Sequence, residues 1–149
     1  MPELFLTLPV NQENVNNMSK VVNFSDAASI GIHSMIIIAQ SEKPINAIQL
    51  SKKINFSRHH IAKVLQRLVK DGYLVSFRGP AGGFLLKKEA TDILLYDIYR
   101  SIEGEIDYNE CSQNQHTCPF NKCIRKSLVN KLSKQFEDYM KSYTLKDYL

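Results

Sequence analysis

From Ala27 to Ala39 apolar residues follow one another almost without a break. Ser25 would cap a helix running from there to about Gln40, apolar on nearly every side and therefore deeply buried. After a connector from Ser41 to Pro44, residues Asn46 to Ile54 predict a short helix that turns Ala47, Ile48 and Leu50 inward. Asn55-Phe56 reads as a tight turn, and Ser57 has the residue type that caps a following helix. In that helix Ile61, Val64, Leu65, Leu68 and Val69 recur at i, i+3, i+4, i+7 and i+8. The repeat stops at Asp71-Gly72, where glycine accepts the left-handed cap.

The period then changes. Tyr73 to Phe77 and Gly83 to Lys87 are short β-rich runs, joined by Arg78-Gly79-Pro80-Ala81-Gly82 as a hairpin with a loose tip. Thr91 would cap another helix through Ser101, with Leu94, Leu95, Ile98 and Ile102 on one side. A polar loop from Glu103 to Cys123 follows. Ile124 to about Tyr143 predicts a long helix with a stripe of Leu128, Leu132, Phe136, Tyr139 and Met140. That stripe exceeds what so small a domain needs for its own core, and it suits packing against a second subunit.

Two short helices, a tight turn and a hairpin, in that order, make a winged helix-turn-helix. The expected fold is mainly α with a small β-hairpin wing and a long C-terminal dimerisation helix. The expected organisation is an N-terminal extension (1–20), a winged helix-turn-helix (21–103), a cysteine loop (104–123), and a dimerisation helix with tail (124–149).

Charge sharpens this picture. The formal net charge of +4 says little, but its distribution is uneven. Between Leu50 and Lys88 there are nine basic residues and one acid, Asp71, whereas the last 49 residues carry seven bases and seven acids. A concentrated basic module is the footprint of a polyanion, although a solvated lysine-rich face would look the same. The apolar stretch Leu4 to Val10 lacks a basic leader, and Met35 to Ala39 is too short to span a bilayer. The expected setting is the cytoplasm, with no membrane partner.

In a helix-turn-helix the second helix enters the major groove with its N-terminal residues on base edges. Here these are Ser57, Arg58, His59 and His60. Arg58 suits guanine, and the others suit bases or phosphates. Lys63 and Arg67 lie further along, fitted either to phosphate or to local packing. At the hairpin tip Gly79, Gly82 and Gly83 leave no side chains to block close backbone approach, Pro80 is a candidate contact between them, and Arg78 is placed to enter a minor groove. An ordinary flexible hairpin with a surface arginine is the alternative.

All three cysteines fall within thirteen residues: Cys111, Cys118 and Cys123. An odd, clustered set argues against a structural disulfide framework and towards metal or redox chemistry. The alternatives are an iron–sulfur centre, zinc on three thiolates and His116, or a thiol switch.

These residues together resemble the IscR/NsrR family of bacterial transcription regulators, from about Asn23 onward. The resemblance rests on Asn23-Phe24-Ser25 with Ile30-Gly31-Ile32-His33-Ser34-Met35, on the helix Ser57 to Leu68, on the wing Arg78-Gly-Pro-Ala-Gly-Gly-Phe84, and on the cysteine loop before a long helix ending in Thr144-Leu-Lys-Asp-Tyr-Leu149. It implies a homodimer with crossed long helices on a pseudo-palindromic operator in double-stranded DNA. It also implies a 2Fe–2S or 4Fe–4S cluster on the three cysteines, which would make DNA affinity answer to redox state, nitric oxide, iron or cluster supply. Some relatives take a fourth ligand three residues after the last cysteine, but here that residue is Lys126. Others take it from the first helix of the partner. His33 falls on that histidine position, Ser29 falls where relatives place a carboxylate, and Asp26 lies near the face of His33. The expected order is His33, then Asp26, then His116.

The expectation is therefore a repressor controlled by an iron–sulfur cluster, not an enzyme. The same regulator with a thiol switch or zinc is the alternative. An iron–sulfur electron-transfer protein or enzyme subunit lacks support, because no acid–base or nucleophile set and no glycine-rich cofactor loop is present. A protein-binding adaptor with a winged-helix fold is distinguished by the basic helix.

Overall fold

The computed structural model describes residues 24–106, Tyr108 and residues 124–149. Its elements are α1 (Asp26–Ala39), α2 (Ala47–Ile54), α3 (Arg58–Lys70), β1 (Leu74–Phe77), β2 (Gly83–Leu86), a 3-10 turn (Ala90–Asp92), α4 (Leu95–Glu103), α5 (Ile124–Ser142) and a closing 3-10 turn (Leu145–Tyr148). The mainly helical fold with one antiparallel hairpin is the winged helix that the periodicities predict.

The starts of the first three helices follow from their caps. The Ser25 hydroxyl accepts from the Ala28 amide, Asn46 and Gln49 cap each other reciprocally, and the Ser57 hydroxyl accepts from the His60 amide. Between α2 and α3, Asn55 takes φ 55°, the left-handed conformation that asparagine tolerates, and this makes the turn tight.

The core lies where α1, α3 and α4 meet. Ile30, Met35, Ile38, Leu50, Ile61, Leu65, Leu68, Ile93 and Ile98 are fully buried there. Gly31 lets α1 approach α4 closely, since a Cβ would sit 2.1 Å from Ile102 Cδ1. α1 is not covered all round: Asp26 and His33 are exposed, and Ile32, Ile36 and Ile37 are half-buried. On α2, Ile48 does not face inward as its pattern predicts. It is about half exposed, and Leu50 alone is fully buried on that helix.

The wing pairs Leu74 with Leu86, Val75 with Leu85, Ser76 with Phe84 and Phe77 with Gly83. Ile45, in the α1–α2 connector, adds a bridge to Phe84 through paired backbone bonds of 3.1 and 2.9 Å, which locks the wing onto the helix-turn-helix.

Thr91 does not cap α4. It sits within the 3-10 turn, and the helix starts four residues later, after Leu94. The cause is the far end of the chain. The Leu95 amide donates to the Tyr143 carbonyl at 3.0 Å and the Leu145 amide donates to the Ile93 carbonyl at 2.8 Å, so Ile93 and Leu94 are held extended. The Asp97 carboxylate then accepts from the Leu94 amide at 3.1 Å. Leu145 is fully buried, so the chain end is part of the core.

Candidate nucleic-acid interface

The N-terminus of α3 presents Arg58 and His59 to solvent, with Lys63 exposed one turn on. His60 is half-buried and meets the Phe56 ring edge-on at 6.5 Å. The Ser57 hydroxyl accepts from the His60 amide as the cap, which leaves its proton and one lone pair to offer. Opposite the solvent face, Ile61, Val64, Leu65 and Leu68 anchor the helix.

Arg67 is exposed and makes a local contact as well. Its guanidinium donates to the Ile102 carbonyl at 2.9 Å, on the last turn of α4. Beside it, the Ser101 hydroxyl donates to the Asp71 carboxylate. These contacts tie the C-terminal end of α3 to the end of α4. Periodicity carries no sign of them, because both partners lie more than 25 residues away.

At the tip of the wing Arg78, Gly79, Pro80 and Ala81 are exposed. The Gly82 amide donates to the Gly79 carbonyl at 3.0 Å, and Gly79 takes φ +103°. A Cβ on Gly82 would lie 2.3 Å from the Phe77 carbonyl oxygen, so the turn closes only with glycine there. Among the described residues the ion pairs are those of Arg100, Lys134 and Lys141, on α4 and α5. None of the nine basic residues of the helix-turn-helix and wing takes part in one. A surface of unneutralised cations on a groove-sized helix and a hairpin is chemically fitted to a phosphate backbone.

The sequence pattern of the Rrf2 family, described as iron-dependent transcriptional regulators, matches residues 24–149. The chain belongs to the Rrf2 family. An HTH-type transcriptional regulator of Aquifex aeolicus is 30% identical over 128 residues, covering 83% of this chain and 89% of that protein. IscR of Pectobacterium atrosepticum is 26% identical over 110 residues, covering 74% of this chain and 67% of IscR. Among solved structures, T. potens IscR superposes with a TM-score of 0.67 at 27% identity, covering 85% of each chain. The global cysteine regulator CymR of B. subtilis shares the fold, with a TM-score of 0.69 at 24% identity over 85% of this chain and 95% of CymR. This Rrf2 chain is thus a DNA-binding transcription regulator, and its relatives are regulators rather than enzymes.

The second candidate site is only partly described. Cys111, Cys118, Cys123 and His116 lie outside the described residues, as does the side chain of Lys126. Among the described residues no three His, Cys, Asp or Glu side chains converge on a metal position. His33 is informative all the same. Its Nδ1 lies 2.7 Å from the Ser29 carbonyl. A carbonyl can only accept, so Nδ1 carries a proton, and in the neutral ring Nε2 then has the lone pair that binds metals. The ring is exposed on α1, as is Asp26.

A polar network stands at the base of the cysteine loop. Tyr96 donates to Glu105 at 3.0 Å, Tyr108 donates to Glu137, and Lys141 lies 4.6 Å from the centre of the Tyr96 ring. Burial, then the hydrogen bond to Glu105, pushes the Tyr96 phenol up to about 12. The first residues of the loop are thereby held at both flanks, Glu105 to Tyr96 of α4 and Tyr108 to Glu137 of α5.

The long stripe of α5 divides. Met140 is buried and Phe136 packs on Tyr99 with ring centres 5.1 Å apart, whereas Leu128, Leu132 and Tyr139 are exposed. Among the described residues no helix is long and apolar enough to cross a membrane.

Proposed function

We propose that this chain is a homodimeric repressor whose affinity for a pseudo-palindromic operator is set by an iron–sulfur cluster. Cys111, Cys118 and Cys123 would hold it, with His33 of a second copy as the fourth ligand. The observation that carries this reading is the state of His33: an exposed imidazole with Nδ1 engaged and Nε2 available. Three thiolates and one imidazole form a donor set that suits an iron–sulfur centre of either type. Such a centre supplies a group whose charge and integrity respond to oxidation, nitric oxide and iron supply. Asp26 and His116 stand behind His33 as alternative ligands.

The chain's own residues do the rest. Arg58, His59 and Lys63 carry the base and phosphate contacts of α3, supported by Ser57 and His60. Arg78, Gly79, Pro80 and Gly82 form the wing's contact in the adjacent minor groove. Leu128, Leu132 and Tyr139 of each copy cover one another, setting two copies of α3 about 34 Å apart, one turn of the duplex. A ligand donated across that interface makes the distance between copies depend on the state of the loop, and operator fit depends on that distance.

The test is anaerobic purification followed by a visible spectrum and iron, sulfide and zinc analysis of one sample. Matching iron and sulfide with charge-transfer bands supports the reading. A colourless protein that takes up no cluster on reconstitution contradicts it. That result favours a thiol or zinc switch, a second reading consistent with the shared fold of an S. aureus CymR solved in an oxidized form.

A further inference from the structure

Phe77 closes β1 with 48% of its surface exposed. Most other large exposed apolar side chains lie on α5 or the chain end, and Phe24 sits edge-on to Phe136. Among the described residues this leaves Ile48 and Phe77, and Phe77 directly precedes Arg78 on the wing. Its cross-strand partner is Gly83, which has no side chain to cover the ring. Gly83 in turn is pressed against Ile45, where a Cβ would meet the carbonyl carbon at 2.6 Å. On the other side, the Phe77 carbonyl closes the tip against Gly82. The backbone that carries the ring is therefore fixed, while the ring remains half in water.

The surroundings select the occupant. No acidic residue occurs from Gly72 to Lys88, whereas Arg78, Lys87 and Lys88 do. The potential at the wing draws a phosphate backbone, and the apolar part of that backbone is its sugar. We infer that Phe77 is a further DNA-contacting residue of the wing, packing its ring against the deoxyribose wall of the minor groove beside Arg78. This rests on the reading of the wing as a groove contact. It gives the wing one interaction that salt screens and one that salt does not.

The test is operator binding by the full chain, read by fluorescence anisotropy across a salt series, for the parent, Phe77→Ala, Phe77→Leu and Arg78→Ala. Phe77→Ala is expected to weaken binding about ten-fold at every salt concentration without changing the slope. Phe77→Leu should retain most of the affinity. Arg78→Ala should lower the slope by about one. Unchanged affinity in Phe77→Ala, with Arg78→Ala behaving as stated, overturns the Phe77 contact and leaves the wing reading intact. A loss accompanied by a lower thermal midpoint also overturns it, assigning Phe77 to folding. If Arg78→Ala has no effect, the wing reading itself fails.

Discussion

At the scale of single residues, buried or engaged polar atoms decide more than residue type does. The presence of His33 on α1 is visible in the sequence, but its tautomer is set by the Ser29 carbonyl, and only the folded helix places that oxygen against Nδ1. Tyr96 is similar. It lies outside the apolar stripe read for its helix, yet its phenol is buried and bonds to Glu105, which raises it from 10.0 to about 12. A raised phenol stabilises the fold fully below pH 10.0, and that stabilisation is lost as pH rises towards about 12. Urea unfolding at neutral pH and again across that alkaline range measures it. Tyr96→Phe should be less stable at neutral pH and should lose less stability on going alkaline. An identical pH dependence in both proteins would show that the Tyr96 phenol does not hold the base of the loop.

At the scale of elements, the helices with local signals match their sequence reading, and the one determined from a distance does not. Ser25, Asn46 and Ser57 cap their helices within three residues, so those starts can be read from the chain. The start of α4 depends on Tyr143 and Leu145, about fifty residues on, and Thr91 offers a misleading local signal. Ile48 fails for a related reason: on a helix as short as α2, neighbouring elements, not period, settle which residues are covered. The union of α3 with α4 is another distant contact. Arg67→Ala should cost about 1 kcal/mol or somewhat more, by freeing the Ile102 carbonyl, while leaving the salt slope of DNA binding unchanged. Chemical unfolding beside a salt series checks both parts. A slope reduced as in Arg78→Ala would return Arg67 to the phosphate contacts.

At the scale of the whole molecule, one chain leaves an apolar face uncovered. Leu128, Leu132 and Tyr139 lie on the side of α5 away from Met140, and their exposure is what a second copy would remove. Leu132→Glu should give a monomer by light scattering and weaken operator binding by at least ten-fold, since two half-sites are no longer held by one particle. A dimer of unchanged stability would place the interface elsewhere. The winged fold, the basic module and the family resemblance can all be read from periodicity, charge and the wing motif. The exposure of Phe77, the anchoring of Arg67 and the burial of Leu145 depend on where remote segments come to rest, which no local pattern encodes.

The most direct test is the operator affinity of anaerobically isolated protein against that of Cys118→Ala, measured side by side on one duplex, with folding of the variant verified. The account predicts that both bind with a similar steep salt dependence, because the basic surface is common to both, and that their affinities differ by at least ten-fold. Equal affinities at every salt concentration would contradict it, leaving a DNA-binding regulator whose cysteine loop does not govern its grip on the operator.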